Sequence, residues 1–129
     1  MTITIDTAAA RTATAPANAE VLVWTPACRA GELELEWGEA MLVGAKQVAL
    51  FRVASGEVFA VCNRDPHTGS PVMSRGIVGS RGERATIASP LLKQVYDLET
   101  GECFGDAGLF LRPFRTRIRE GVVEVEVPA

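Results

Sequence analysis

Histidine occurs once in the 129 residues, the three cysteines form no Cys-x-x-Cys pair, and aromatic residues make up only 6% of the chain. A zinc site built from clustered cysteines and histidines is therefore not expected. No apolar run approaches the roughly 20 residues that cross a bilayer, so no membrane partner is expected either. The formal net charge of −3 argues against broad nucleic-acid binding, which depends on many lysines and arginines.

The N-terminal residues also lack the features of a secretion signal. Residues 1–20 contain a single basic residue, Arg11, and no continuous apolar block. Cys28, Cys62 and Cys103 are odd in number and far apart, which is typical of reduced thiols that are at least partly buried. We therefore expect a cytoplasmic protein.

Composition divides the chain near residue 20. Twelve of the first twenty residues are Ala or Thr. Because large apolar side chains that offset the entropy of ordering are almost absent there, residues 1–20 are predicted to be disordered. From Val21 onward, short apolar runs alternate with glycine turns, and few windows suit a helix of ordinary length. The pattern predicts one all-β domain over residues 21–129, an antiparallel sandwich or barrel.

Glycine turns predict which strands pair. Residues 48–53 and 58–61 flank a turn that contains Gly56, and a further turn over residues 99–102 separates two short apolar segments. Residues 116–119 and 122–127 flank Glu120-Gly121, and valine alternates with glutamate along the second of these segments. This alternation predicts an antiparallel strand with one buried face.

Residues 63–93 differ from routine β architecture, because they hold the single histidine, three prolines and four glycines. Neither glycine-rich phosphate-binding motif is present, so nucleotide binding is not indicated. The serines lack the G-x-S-x-G setting of a hydrolase nucleophile. Asp65 and His67 can face the same direction in an extended loop, but a working metal site would need further ligands. We assign Trp24, Trp37 and Tyr96 to packing.

Charge separates the same segment from the rest of the chain. Residues 63–93 hold five basic residues and two acidic ones, a net charge of +3, whereas the remaining residues carry −6. A basic segment on an acidic body can steer an acidic protein surface into register.

Residues 63–71 resemble the first cluster-binding loop of Rieske proteins, Asn-x-Cys-Pro-His-x-Gly-x-Pro, and residues 89–101 resemble the second, which begins Cys-Pro-x-His-Gly. The resemblance implies a Rieske-like fold with two extended loops at one tip. A Rieske [2Fe–2S] centre is held by two thiolates and two imidazoles. The four ligand positions are here occupied by Asp65, His67, Ser89 and Leu92, and only His67 matches. We therefore expect no cluster, other metal or cofactor in this chain, and no catalytic residue.

Three segments, residues 65–69, 74–79 and 88–94, are together similar to the small subunit of assimilatory NAD(P)H-dependent nitrite reductase. This resemblance implies a large subunit that binds FAD, an iron–sulfur cluster and sirohaem. That subunit takes electrons from NAD(P)H and reduces nitrite to ammonia in nitrate assimilation. The chain would then be an accessory, non-redox subunit that binds and stabilises the large one. An aromatic residue often stands at the position of His67 in this family, which leaves the role of His67 open.

Partner binding is assigned to the basic residues of the two loops and their surroundings. We expect Arg64, Arg75 and Lys93 to engage acidic groups on the large subunit. Two alternatives remain from the sequence. In the first, the chain is a Rieske-type [2Fe–2S] electron carrier with altered ligation. In the second, it is a stand-alone protein-binding domain.

Overall fold

The computed structural model describes residues 20–91 and 93–129, so the prediction of disorder for residues 1–20 concerns residues outside it, except for Glu20. The described part of the chain contains eleven strands, two short 3-10 turns and no α-helix, which confirms the predicted all-β class. No helix in those ranges has the length and apolar character needed to cross a membrane. The strands are β1 (Leu22–Arg29), β2 (Trp37–Val43), β3 (Lys46–Arg52), β4 (Val58–Cys62), β5 (Ile77–Arg81), β6 (Arg84–Ala88), β7 (Val95–Asp97), β8 (Cys103–Phe104), β9 (Pro113–Phe114), β10 (Thr116–Arg119) and β11 (Val122–Pro128). The 3-10 turns span Ala30–Glu32 and Met73–Arg75.

The strands form three antiparallel sheets. Sheet A has the order β1-β11-β10, sheet B the order β2-β3-β4-β9, and sheet C the order β5-β6-β7-β8. The predicted pairings of β3 with β4, of β7 with β8 and of β10 with β11 are all confirmed. The predicted sandwich or barrel is thus resolved into three sheets.

Sheet B lies between the other two sheets and contributes to two cores. Val48 and Leu50 of β3 pack with the valines of β11 in the first core, whereas Ala49 and Phe51 pack with Ile87 of β6 in the second. Successive strand residues point to opposite faces, so a strand covered on both faces must be apolar without interruption. This arrangement explains the continuous apolar run from residue 48 to residue 51.

The aromatic side chains assigned to packing have different environments. Tyr96 on β7 is fully buried in the second core, as expected. Trp24 on β1 stacks against Arg117, whose guanidinium carbon lies 4.2 Å from the ring centroid. Trp37 at the start of β2 differs from the prediction, since 59% of its surface is exposed.

Two glycines enclose the turn Met73–Arg75. A Cβ atom at Gly38 of β2 would collide with the carbonyl group of Ser74 within the turn. A Cβ atom at Gly76, directly after the turn, would collide with the carbonyl group of Ala88 at the end of β6. The turn is therefore held between sheet B and sheet C by contacts that only glycine permits.

Candidate functional site

The segment that follows β4, residues 63–72 (loop 1), is anchored by one buried amide side chain. Asn63 is only 3% exposed. Its Nδ2 group donates to Oε1 of Gln47 at 2.9 Å and to the carbonyl oxygen of Pro71 at 3.1 Å. Its Oδ1 atom accepts a hydrogen bond from the backbone N–H of Ser74 at 2.8 Å. Both ends of loop 1 are thereby fixed to β3 and to the turn Met73–Arg75.

Asp65 lies at the centre of loop 1, and none of its surface is exposed. Its Oδ1 atom accepts hydrogen bonds from the backbone N–H groups of His67, at 2.7 Å, and Thr68, at 3.3 Å. Its backbone N–H donates to the carbonyl of Ser70, and its carbonyl accepts from Gly69. Asp side chains commonly organise turns in this way. The hydrogen bonds replace those of water and make the burial of a carboxylate tolerable.

Ser89 joins loop 1 to the segment that follows β6, residues 89–94 (loop 2). Its side chain is 2% exposed, and its hydroxyl donates a hydrogen bond to Oδ2 of Asp65. The same hydroxyl accepts from the backbone N–H of Leu91 at 3.1 Å. The backbone N–H of Ser89 donates to the carbonyl of Gln94 at 2.8 Å, which closes loop 2 at its base. The two loops are therefore tied together through one buried pair of side chains.

The resemblance to Rieske loops places the cluster-ligand positions among these residues, so their fit to a [2Fe–2S] cluster can be tested. Such a cluster requires thiolate and imidazole donors. Asp65 and Ser89 present oxygen atoms, and these atoms are already engaged with each other and with backbone N–H groups. In residues 20–91 and 93–129, no three side chains of His, Cys, Asp or Glu come together in a way that could hold a metal ion. The residues present do not fit the cluster.

His67 does not form the side-chain pair with Asp65 that an extended loop would allow. Its ring lies at the exposed surface, whereas the carboxylate of Asp65 points into the protein. The two side chains do not share a direction, because loop 1 is tightly turned and not extended. The contact uses the backbone N–H of His67, and its imidazole makes no hydrogen bond with the described residues. Leu92, at the fourth ligand position, lies outside the described residues.

Tyr96 lies beneath the joined loops. Burial, with smaller contributions from Cys103 and Asp65, raises the pKa of Tyr96 to about 12. Its hydroxyl group has no hydrogen-bond partner in the part of the chain that the structure describes. Tyr96 thus remains neutral at physiological pH and has no means of acting as a base there.

The three cysteines are free thiols, as predicted. Cys103 is buried, whereas Cys28 and Cys62 are half-buried. Burial raises the pKa values of Cys28 and Cys103, which keeps both thiols protonated. These environments are typical of structural cysteines and unlike those of reactive ones.

The exposed charged residues within loops 1 and 2 and the turn Met73–Arg75 are positive, whereas Glu39 of β2 is an exposed carboxylate nearby. Arg64, Arg75 and Lys93 are exposed, and within the described ranges none of them forms an ion pair. The guanidinium group of Arg64 donates to the carbonyl of Gly69, so this side chain also supports loop 1. Asp65 is the one carboxylate in residues 63–76 and 89–94, and it is buried. Loops 1 and 2 therefore present a cationic surface on a chain with a net charge of −3.

Trp37 belongs to the same region, although the sequence did not indicate this. An open groove of about 720 Å³ lies beside loop 1, and its lining includes Trp37, Glu39, Pro71 and Arg75. Tryptophan and arginine are the residue types that most often dominate binding at protein interfaces. One sequence feature could have drawn attention to this region: Trp37, a large aromatic residue, is followed directly by Gly38 at the start of a strand.

Comparison with known families agrees with this geometry. The family described as "Rieske-like [2Fe-2S] domain" matches residues 23–126. The three-sheet fold and the two joined loops thus define a Rieske-like domain.

Individual relatives specify the family further. The chain is 36% identical over 103 residues to the nitrite reductase (NADH) small subunit of Escherichia coli K12. The aligned residues make up 79% of this chain and 95% of that protein. It superposes, with a TM-score of 0.80 and 43% identity, on a crystal structure assigned as an NADH-dependent nitrite reductase small subunit from Mycobacterium tuberculosis, covering 85% of this chain and 99% of that one. The chain therefore belongs to the family of nitrite reductase small subunits.

A third relative is much longer. The nitrite reductase [NAD(P)H] large subunit of Klebsiella oxytoca is 29% identical over 102 residues, which are 79% of this chain but only 11% of that protein. A segment similar to this chain is thus part of a large-subunit polypeptide.

Proposed function

We propose that this chain is the non-redox small subunit of a cytoplasmic NAD(P)H nitrite reductase in nitrate assimilation, and that it binds and stabilises the catalytic large subunit. One observation carries the proposal. Where a Rieske protein would place two thiolates, Ser89 and Asp65 are buried and hydrogen-bonded to each other. The loops keep the joined arrangement of a cluster-binding tip while lacking the donors that hold iron.

Association with the large subunit is supported by the Klebsiella relative. Its large-subunit polypeptide includes a segment similar to this chain. Covalent fusion keeps two units at an effective concentration far above that of separate chains, which is useful when they work in contact. The separate chain proposed here would form the corresponding contact without a covalent link.

The binding surface is proposed to be the joined loops. Arg64, Arg75 and Lys93 are exposed there without a carboxylate partner in the described ranges. Acidic groups on the large subunit would complement them. Charges at the rim of an interface chiefly raise the association rate and make it sensitive to salt. The neighbouring side chain of Trp37 supplies apolar area that water leaves on binding.

The chemistry is assigned to the large subunit. FAD, an iron–sulfur cluster and sirohaem would carry electrons from NAD(P)H to nitrite there. Residues 20–91 and 93–129 offer no metal-binding group for that path, and the oxygen atoms at the tip are engaged in hydrogen bonds. Its contribution would be to the stability and assembly of the enzyme.

Co-purification tests the proposal. The full chain is produced together with an affinity-tagged large subunit, and the large subunit produced alone is the control. We expect the two chains to elute together, and we expect the large subunit alone to lose nitrite reductase activity faster on warming. Separate elution at low salt would contradict the proposal. Removal of this chain with no change in the inactivation rate would contradict the stabilising role.

A further inference from the structure

β2 is an outer strand of sheet B, with β3 on one side and no strand on the other. Val43 of β2 and Lys46 of β3 are the last pair before a two-residue turn, so their backbones are hydrogen-bonded to each other. Along antiparallel strands, such pairs alternate with pairs whose N–H and C=O groups point away from the partner strand. These groups therefore point away from β3 at Gly38, Ala40 and Leu42. Within residues 20–91 and 93–129, none of them forms a hydrogen bond.

The other five outer strands are interrupted or shorter. β1 contains Pro26, and its register with β11 shifts between Pro26 and Cys28. β8 and β9 have two residues each, β10 has four, and β5 has five and ends with an arginine. β2 instead runs for seven residues in unbroken register with β3, without proline, lysine or arginine. Proteins usually protect free edges with such devices, so the edge of β2 is open to a further strand.

The groove beside loop 1 includes this edge. Its lining contains four consecutive residues of β2, residues 37–40, whose side chains alternate between the two faces of the sheet. A groove that touches both kinds of residue reaches the edge between the faces. Trp37 is 59% exposed and Leu42 on the same strand is 72% exposed. Arg75 also lines the groove and forms no ion pair within the described ranges.

We infer that β2 binds an extended segment of the large subunit, which adds to the four strands of sheet B as a further strand. The inference rests on the proposed function and names the mode of contact. Free N–H and C=O groups at every second residue match the backbone of another strand, and alternate side chains of that strand supply specificity. Arg75 complements a carboxylate on the segment, and Trp37 and Leu42 cover its apolar side chains. Because Arg75 belongs to the surface proposed above, the added strand continues that surface.

Hydrogen exchange of single amides tests the inference without altering the chain. The isotope-labelled full chain exchanges in deuterated water, free and in complex with purified large subunit, and is read by NMR after the complex is dissociated. We expect the N–H groups of Ala40 and Leu42 to exchange at least about tenfold more slowly in the complex. The N–H group of Ser80 on the outer strand β5 is the control and should exchange equally in both states.

Ala40→Pro is the matching variant. It removes an N–H group that β3 does not use, so an added strand loses this hydrogen bond and meets the proline ring. Ser80→Pro is its control, because Arg81 and Arg84 also enclose a two-residue turn and the N–H of Ser80 points away from β6 in the same way. We expect Ala40→Pro to raise the Kd for the large subunit at least about tenfold and Ser80→Pro to leave it unchanged. Circular dichroism checks that both variants are folded; if Ala40→Pro is not, the exchange of the original chain decides.

The outcomes separate the inference from the proposed function. A complex in which Ala40 and Leu42 exchange as fast as in the free chain overturns the inference, while the proposed function stands. An unchanged Kd for folded Ala40→Pro does the same. Slower exchange of these amides in the free chain at raised concentration would identify a second copy as the occupant, which also overturns the inference. If the original chain does not bind the large subunit, the proposed function fails and the inference fails with it.

Discussion

The hydroxyl group of Ser89 donates a hydrogen bond to the buried carboxylate of Asp65, 24 residues earlier in the chain. By the resemblance of residues 63–71 and 89–101 to Rieske loops, both residues correspond to cysteines, and a direct hydrogen bond would then take the place of a metal-mediated connection between the loops. Hydrogen bonds to a charged acceptor are among the stronger ones in proteins. The tip thus retains its architecture although its donors no longer suit iron.

Removal of the Ser89 hydroxyl should destabilise the fold. In Ser89→Ala the Oδ2 atom of buried Asp65 loses its donor, and the N–H of Leu91 loses its acceptor. We expect the free energy of unfolding to fall by about 1–3 kcal/mol, measured by urea denaturation. Ser80→Ala, on the exposed face of β5, is the control and should change it by less than about 0.5 kcal/mol. Equal stability of the two variants would show that the bond between the loops contributes nothing.

A side chain at Gly76, directly after the turn Met73–Arg75, should destabilise the fold. Gly76→Ala places a methyl group against the carbonyl of Ala88, and the backbone must shift to accommodate it. We expect a loss of about 1–3 kcal/mol in the free energy of unfolding. Gly31→Ala is the control, because a Cβ atom there meets nothing within 4 Å. If thermal or urea unfolding shows the same stability for both variants, the turn is not confined as described.

The raised pKa of Tyr96 predicts that the free energy of unfolding falls at alkaline pH. Its pKa is about 12 in the folded chain, against 10.0 for the ordinary side chain. Below pH 10 both folded and unfolded chains hold the proton, so the stability is fully present. As pH rises from 10 towards 12, the unfolded chain releases its proton first, and stability falls by up to about 1.4 kcal/mol per pH unit.

The measurement is direct because Tyr96 is the single tyrosine of the sequence. Ultraviolet absorbance of tyrosinate should appear near pH 10 in urea-unfolded protein and near pH 12 in folded protein. Tyr96→Phe should lose this component of the alkaline decline in stability. Titration of the folded protein near pH 10 would mean that the phenol is not buried from solvent.

Arg75 is predicted to act through charge. It is exposed at the end of the turn Met73–Arg75, beside the groove that Trp37 lines. Arg75→Ala should weaken the complex with the large subunit by about 0.2–1 kcal/mol and make its affinity less dependent on salt. Arg119→Ala, an exposed change on β10 of sheet A, should leave both quantities unchanged. The same affinity and salt dependence for Arg75→Ala as for the original chain would remove Arg75 from the binding surface.

Local signals in the sequence were sufficient for three of the eight strand pairings among the described residues. Gly56 and Gly121 mark tight turns between apolar segments, and the alternation of valine with glutamate after Gly121 gives the buried face of β11 directly. Such features depend on neighbours a few residues apart. The resemblance to Rieske loops then supplied the overall fold.

The details of the site depend on contacts between distant residues. Asp65 is buried because Ser89 and the turned backbone of loop 1 satisfy its carboxylate, and no local pattern reveals that partnership. Gly38 looks like an ordinary strand glycine until Ser74 is placed against it. Trp37 was expected to pack, but β2 is an edge strand of sheet B and leaves its ring exposed.

Iron and acid-labile sulfide in the full chain, purified without oxygen from cells that assemble clusters, test the central claim most directly. The account predicts a colourless protein that contains neither in stoichiometric amount and still binds the large subunit. A brown protein with matching iron and sulfide would contradict it, because the oxygen atoms of Asp65 and Ser89 would then not be committed to each other.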